Sequence, residues 1–242
     1  MKAMKLSILA AVMLFAGAHA VKAQDVDDIL KKHEKAMGGK EKWEKVKTMK
    51  FTGSLSIQGN DIPLTESIVL GKALRMDFSF MGMNGYQIVT TSGAWMVQPG
   101  QPKIDTVKDD MLKEMQKQLD VRADQELDYK SKGGKAEYVG IDSVDSNPCY
   151  KIKFTDKEGN VSTSYFDTKT YYLLRTESTV KQEDQEQEVA KSYKDFKVLP
   201  EGIVWPMSVT TTMGEIVFKT IDINPTLSEK LFIPQPPAAA GK

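Results

Sequence analysis

The feature that most limits how this chain can fold is an alternation of apolar and polar residues. Met49, Phe51, Leu55 and Ile57 fall in one phase, and Lys50, Thr52, Ser54, Ser56 and Gln58 in the other. That is the period of a strand with one face in water. Gly59-Asn60-Asp61 turns the chain into Ile62–Leu70, Gly71 leads to Leu74, Met76, Phe78 and Phe80, and Gly82-Met83-Asn84-Gly85 turns it again. Tyr86–Thr90 and Ala94–Gln98, parted by Ser92-Gly93, complete a five-strand meander. Short strands joined by glycine-bearing turns predict an up-and-down antiparallel sheet.

The pattern is interrupted and then resumes. Pro99-Gly100-Gln101-Pro102 reads as a linker. Val107, Met111, Leu112, Met115 and Leu119 then recur at helical spacing, with Lys108, Asp109, Asp110, Lys113, Glu114 and Lys117 opposite. This predicts an amphipathic helix set between two sheet halves. Asp120–Gly134 is polar and fits either a second short helix or an irregular excursion. Strands follow at Ala136–Val144, Tyr150–Phe154, Val161–Phe166 and Tyr171–Val180, while Lys181–Glu188 reads as a solvated hairpin tip. Three more strands close the chain: one ending at Val198, one over Ile203–Thr212 and one over Ile216–Ile223. Leu199-Pro200-Glu201-Gly202 and Met213-Gly214 turn between them.

The N-terminal residues carry a different signal. Lys2 and Lys5 precede Leu6–Ala18, an apolar run short for a membrane span, and small-residue sites follow at Ala18-His19-Ala20 and Val21-Lys22-Ala23. These are the marks of a secretory signal peptide over residues 1–23, with Gln24 as the first mature residue. An uncleaved anchor is the alternative. Beyond it, Val26, Ile29, Leu30, His33 and Met37 form one helical stripe. Gly38-Gly39 stops that helix, and Lys40–Val46 adds a further turn carrying Trp43 and Val46.

Charge and residue chemistry narrow the function. The chain holds 33 basic and 33 acidic residues, and loss of Lys2, Lys5 and Lys22 with the leader leaves a slight acidic excess. A mixed surface without a basic stripe argues against a nucleic-acid partner. Cys149 is the one cysteine, so an internal disulfide is excluded. It lies far from the leader, which argues against acylation of the protein itself, and beside Pro148 it reads as a small buried hydrophobe. His33 is the one histidine outside the leader, so no metal site is expected, and a packing role outweighs a catalytic one. No nucleophile elbow or phosphate-binding loop is present. The reading is therefore of a non-enzyme with no catalytic residues, metal or cofactor. A hydrolase using a carboxylate pair stays as the remote alternative.

The final strands carry a resemblance. Tyr193-x-x-Phe196, Gly202-Ile203-x-x-Pro206, Ile221-x-Ile223-Asn224-Pro225 and Leu231-Phe232 before Pro234 resemble, in their order, the end of the LolA-like outer-membrane lipoprotein carrier and sorting family. Ser92-Gly93-Ala94-Trp95-Met96-Val97 is similar to that family's Asp-Gly and Trp hairpin, with Ser92 in place of the acid and Val97 in place of an aromatic. The resemblance covers nearly the whole of residues 24–237 as one domain, with 238–242 as a tail. It implies a mainly β fold: an open, strongly curved antiparallel half-barrel of about 11 strands, covered by amphipathic helices.

The resemblance also implies a function: a periplasmic monomer that binds acyl chains of lipoproteins or free lipid in an apolar cavity and carries them toward the outer membrane, with membrane-bound donor and acceptor proteins. A sensor or interaction domain of the same fold is the nearer alternative. Residues expected to line the cavity are Phe51, Leu55, Met76, Phe78, Phe80, Trp95, Met111, Met115, Ile152, Phe154, Trp205 and Phe218. In the carrier an arginine early in the sheet bonds the helical lid shut, and Lys72 or Arg75 stands near that place. The other reading of Arg75 is a strand residue paired with a carboxylate. Apolar residues in such numbers serve a packed core or a lipid-sized cavity equally well.

Overall fold

The computed structural model describes residues 26–119, 127–182 and 185–236. The expected signal peptide, the expected tail and the first part of the Asp120–Gly134 segment lie outside these residues. Two helices come first, α1 (Val26–Ala36) and α2 (Lys40–Trp43). Six strands follow: β1 (Thr48–Ile57), β2 (Asn60–Val69), β3 (Ala73–Phe80), β4 (Met83–Thr90), β5 (Gly93–Val97) and β6 (Asp105–Val107). Helix α3 (Asp109–Lys117) precedes β7 (Lys135–Val144), β8 (Asn147–Thr155), β9 (Val161–Asp167) and β10 (Leu173–Gln182). The chain ends with β11 (Gln185–Val198), β12 (Val204–Thr210), β13 (Glu215–Ile223) and a 3-10 turn at Glu229–Phe232.

All thirteen strands form one antiparallel sheet in the order β6-β5-β4-β3-β2-β1-β13-β12-β11-β10-β9-β8-β7. Within β1–β6 and within β7–β13 each strand lies beside its neighbours in sequence, and β1 and β13 join the two meanders in the middle. Strands β6 and β7, consecutive in the chain, therefore sit at opposite borders of an open, curved half-barrel. The segment bearing α3 is what connects them. Residues paired across antiparallel strands share a face. The rows Met49–Ile68–Leu74–Val89–Ala94 and Phe51–Glu66–Met76–Gln87–Met96 thus lie on one face. This inner face carries the helices: Trp43, Val46, Met115 and Leu119 pack on Met49, Ile68, Leu74 and Val89. Further round, Ile29 and Leu30 of α1 pack on Ile152, Phe154, Phe166 and Leu173.

Several contacts fix the helices to the sheet. Gly38 has φ 114°, and a side chain there would stand 2.7 Å from the carbonyl oxygen of Gly202 in the β11–β12 turn. Glycine thus lets the α1–α2 corner dock directly on backbone. The Val204 N–H donates to the Met37 carbonyl at 3.1 Å, and the Trp43 indole N–H donates to the same oxygen at 3.1 Å. At the other end, Asn224 of the Ile-x-Ile-Asn-Pro motif accepts from the Lys47 N–H at 2.7 Å and donates to the Lys45 carbonyl at 3.1 Å. One side chain thereby ties the end of β13 to the approach to β1.

His33 is buried and serves packing. Its Nδ1 lies 2.7 Å from the Tyr171 carbonyl oxygen, and its ring meets Phe166 edge-on at 5.0 Å. Cys149 is buried, and burial pushes its thiol up to about 11, which makes it a poor nucleophile at neutral pH.

The structure amends the expected boundaries in three places. The described residues form thirteen strands rather than about 11. Val107 belongs to β6, and the helix starts only at Asp109. Much of Lys181–Glu188 is strand, because β10 and β11 run on as a long hairpin. Within Asp120–Gly134, the described residues from Leu127 form turns rather than a helix.

Candidate functional site

The inner face is graded. Its innermost row, Met49, Ile68, Leu74, Val89 and Ala94, is fully buried under α2 and α3. In the next row Phe51 is buried, whereas Glu66, Met76 and Met96 keep some exposed surface. Then come Gly53, Leu64, Phe78 and Gly85, where the Phe78 ring lies across Gly85 in space that a side chain there would occupy. The outermost pairs are Leu55 with Ile62 and Phe80 with Met83, the latter two exposed by 41% and 43%. Helical cover thus gives out toward the hairpin tips and leaves an apolar trough along β1–β4. Its side wall is aromatic: Phe51 lies 5.2 Å from Trp205 and 5.3 Å from Phe218 between ring centroids, and Trp205 lies 6.0 Å from Trp43.

Among the described residues, two polar groups in this trough find no partner. Glu66 points to the inner face between Phe51 and Met76, and among the described residues it makes no hydrogen bond or ion pair. It retains a strip of exposed surface, yet so much apolar protein surrounds it that burial pushes its carboxyl up to about 7. Across Phe51, the Trp205 Nε1–H is sealed from solvent without an acceptor. An unmade bond of that kind costs about 1–3 kcal/mol. Glu66 stands outside the expected lining residues, although the sequence marks it: it falls in phase with Ile62, Leu64, Ile68 and Leu70.

The expected site residues divide by face. Phe51, Leu55, Met76, Phe78, Phe80, Trp205 and Phe218 share the inner face along the trough. Met115 is buried between α3 and the sheet. Ile152 and Phe154 are also on the inner face, but lie beneath α1 in a separate core. Trp95 is on the outer face, since it pairs with Ile88 while its neighbours Ala94 and Met96 point inward. It packs with Tyr86, Ile88, Val97 and Ile104. Met111 is 64% exposed on α3.

Arg75 also lies on the outer face, away from α3. It bonds Asp77 at 2.7 Å, donates to the Leu231 carbonyl at 2.9 Å and stacks 4.6 Å from the Tyr86 ring centre. It therefore clasps the C-terminal segment and pairs with a carboxylate. Lys72 is exposed in the turn before β3.

Two cavities lie away from the trough. One of about 320 Å³ sits between α1, α2 and residues 127–130, with Leu30, Trp43, Leu127 and Tyr129 among charged side chains. The Lys130 ammonium and the Tyr129 hydroxyl at its rim hold the Asp27 carboxyl below its usual range. The other, about 270 Å³, is lined by Val144, Leu174, Lys194, Asp195 and Phe196. None of the expected lining residues borders either. Among the described residues no cluster of His, Cys, Asp and Glu could hold a metal, and no helix is long and apolar enough to cross a membrane.

This architecture is that of known proteins. The chain is similar to a DUF1329 family protein from Desulfovibrio piger (TM-score 0.56, 12% identity, covering 86% of this chain and 95% of that one). It is similar also to an outer-membrane lipoprotein-sorting protein domain from Vibrio parahaemolyticus (TM-score 0.54, 11% identity, 87% and 96%). A third likeness is to a LolA superfamily protein from Nitrosomonas europaea (TM-score 0.52, 9% identity, 86% and 96%). Neither a protein-family model nor a curated protein matches the sequence. The fold is LolA-like.

Proposed function

We propose that this chain is an exported, non-catalytic carrier that binds acyl chains of lipoproteins or lipids along the inner face of its half-barrel. In this reading the signal peptide delivers residues 24–237 to the periplasm as one domain. The observation that carries it is the trough: apolar side chains of β1–β4, β12 and β13 that the helices leave partly uncovered on one side of an open sheet. Each CH₂ removed from water there contributes roughly 0.8 kcal/mol, so a chain of ordinary length gains enough to leave a bilayer if the trough is preformed. Helix α3 rests on the sheet through Met115, with Leu119 just beyond its end, and in this reading it shifts to lengthen the covered region. The likeness to a lipoprotein-sorting domain supports the same reading.

The test is transfer. The purified mature protein is incubated with inner-membrane vesicles carrying a triacylated lipoprotein, and the soluble fraction is examined for a complex. Uptake of the lipoprotein supports carriage. Binding of free lipid without uptake restricts the cargo to lipids, and binding of neither overturns the proposal.

A further inference from the structure

Among the described residues the floor of the trough carries one ionisable side chain, a carboxylate; Gln87 of β4, in the same row, is neutral and donates to the Gln118 side chain at 3.3 Å. Glu66 faces inward from the middle of β2, with Phe51 of β1 and Met76 of β3 directly beside it and Leu64 and Ile68 flanking it along the strand. Inward neighbours on surrounding elements are Leu74 and Phe78 of β3, Phe218 of β13, Trp205 of β12 and Met115 of α3. None is ionisable. The nearest ionisable residue in its row is Asp105 of β6, four strands away and engaged by Lys103 at 2.9 Å; at strand spacing that is about 19 Å. The charged pairs of α3, Lys113 with Asp110 and Lys117 with Glu114, are exposed. Nothing in the described protein answers Glu66, and a carboxylate kept in apolar surroundings without a partner is destabilising.

We propose that Glu66 selects the cargo: the trough takes an alkyl or acyl chain that ends in a protonated amine, and the amine pairs with Glu66 while the chain lies along Phe78, Phe80 and Met83. This rests on the acyl-binding reading above and names the head group that reading leaves open. A carboxylate in a poorly hydrated site attracts a cation far more strongly than it would in water. It repels an anionic head and gives a neutral alcohol only a hydrogen bond. The same arrangement makes recognition depend on Glu66 being ionised, and burial pushes its carboxyl up to about 7. Amine binding therefore strengthens as pH rises from 5.5 to 8.5, while alcohol binding stays level.

Calorimetric titration of the purified mature chain with decylamine, decanoate and decanol tests this directly. At pH 8 the expected order is decylamine, then decanol, then decanoate, with at least tenfold between the first and the last. In Glu66→Gln the three fall within about threefold, and decanol binds as it does to the wild type. The pH series on the unaltered protein gives a second readout that needs no variant: a rise of threefold or more in decylamine affinity between pH 5.5 and 8.5 is expected. Decanoate equal to or tighter than decylamine overturns the proposal, as does an amine preference that survives Glu66→Gln or a flat pH series. Binding of decanol and decanoate alone overturns the amine assignment and leaves the acyl-binding reading standing. Binding of none of the three overturns both.

Discussion

The two halves of the inner face use the same kind of strand and arrive at opposite ends. Under α1 the surface of β8–β10 is closed: Ile29, Ile152 and Phe166 are fully buried, and the one polar side chain brought in with the helix, His33, is bonded to the Tyr171 carbonyl. Along β1–β4 helical cover thins from Met49 toward Phe80, and Glu66 and the Trp205 indole N–H are left unanswered. Closed packing of the first kind stabilises a fold, whereas uncovered apolar surface with unpaired polar groups is what a binding site needs before its ligand arrives. One half holds the molecule together so that the other can remain unfinished.

The strongest way to break that contrast is a matched pair of truncations. Phe166→Ala should cost about 3–5 kcal/mol in denaturant unfolding, because it opens a cavity in a sealed core. Phe80→Ala should cost under about 1 kcal/mol and lower ligand affinity instead. Equal losses would erase the distinction. Next comes pH. The carboxyl of Glu66 is raised in the folded state above its ordinary value of 4.5, so the native protein holds its proton where the unfolded chain releases it. Its contribution is complete below about pH 4.5 and is lost as pH rises through about 7. Stability should fall over that window by roughly 2–3 kcal/mol, and Glu66→Gln should flatten the decline in urea midpoints measured at pH 5 and pH 8.

A smaller effect is expected at the lid. Met115→Glu should weaken acyl binding about tenfold, since a carboxylate would replace a buried apolar contact between α3 and the sheet; unchanged affinity would remove α3 from the site. The smallest belongs to the rim of the closed half. Lys130→Ala removes an exposed partner of Asp27, and the thermal unfolding midpoint should hardly move, because a solvent-screened ion pair contributes little.

Much of the sheet was legible because strands with one wet face write their period into the sequence, as β1 does from Met49 to Ile57. Where both faces are covered the period blurs. Ile88 and Val89 are adjacent and both fully buried, because the C-terminal segment covers the outer face through Arg75 and Tyr86. Trp95, on that second covered face, was therefore assignable to neither side from its type. Strand β6 is three residues long, and its pairing of Val107 with Ala94 is a tertiary fact that no local pattern announces. The β10–β11 hairpin failed for the opposite reason: polar residues in both phases look like a loop even when the backbone is paired. Seven of the twelve expected lining residues share the trough, yet the one that gives it chemical character, Glu66, carries the plainest mark of all, an acid in an apolar phase.

A sheet that does not close leaves its outermost strand in search of company. On β7, Val139 and Ile141 are more than half exposed, beside backbone groups that no further strand satisfies among the described residues. Another extended chain could zip onto such a margin. Lys135 and Glu137 place charge along it, and the register shift between Tyr138 and Gly140 kinks it out of line. These two charged residues and one irregularity act as a fence against self-association, which the same fold would not need if its barrel were complete.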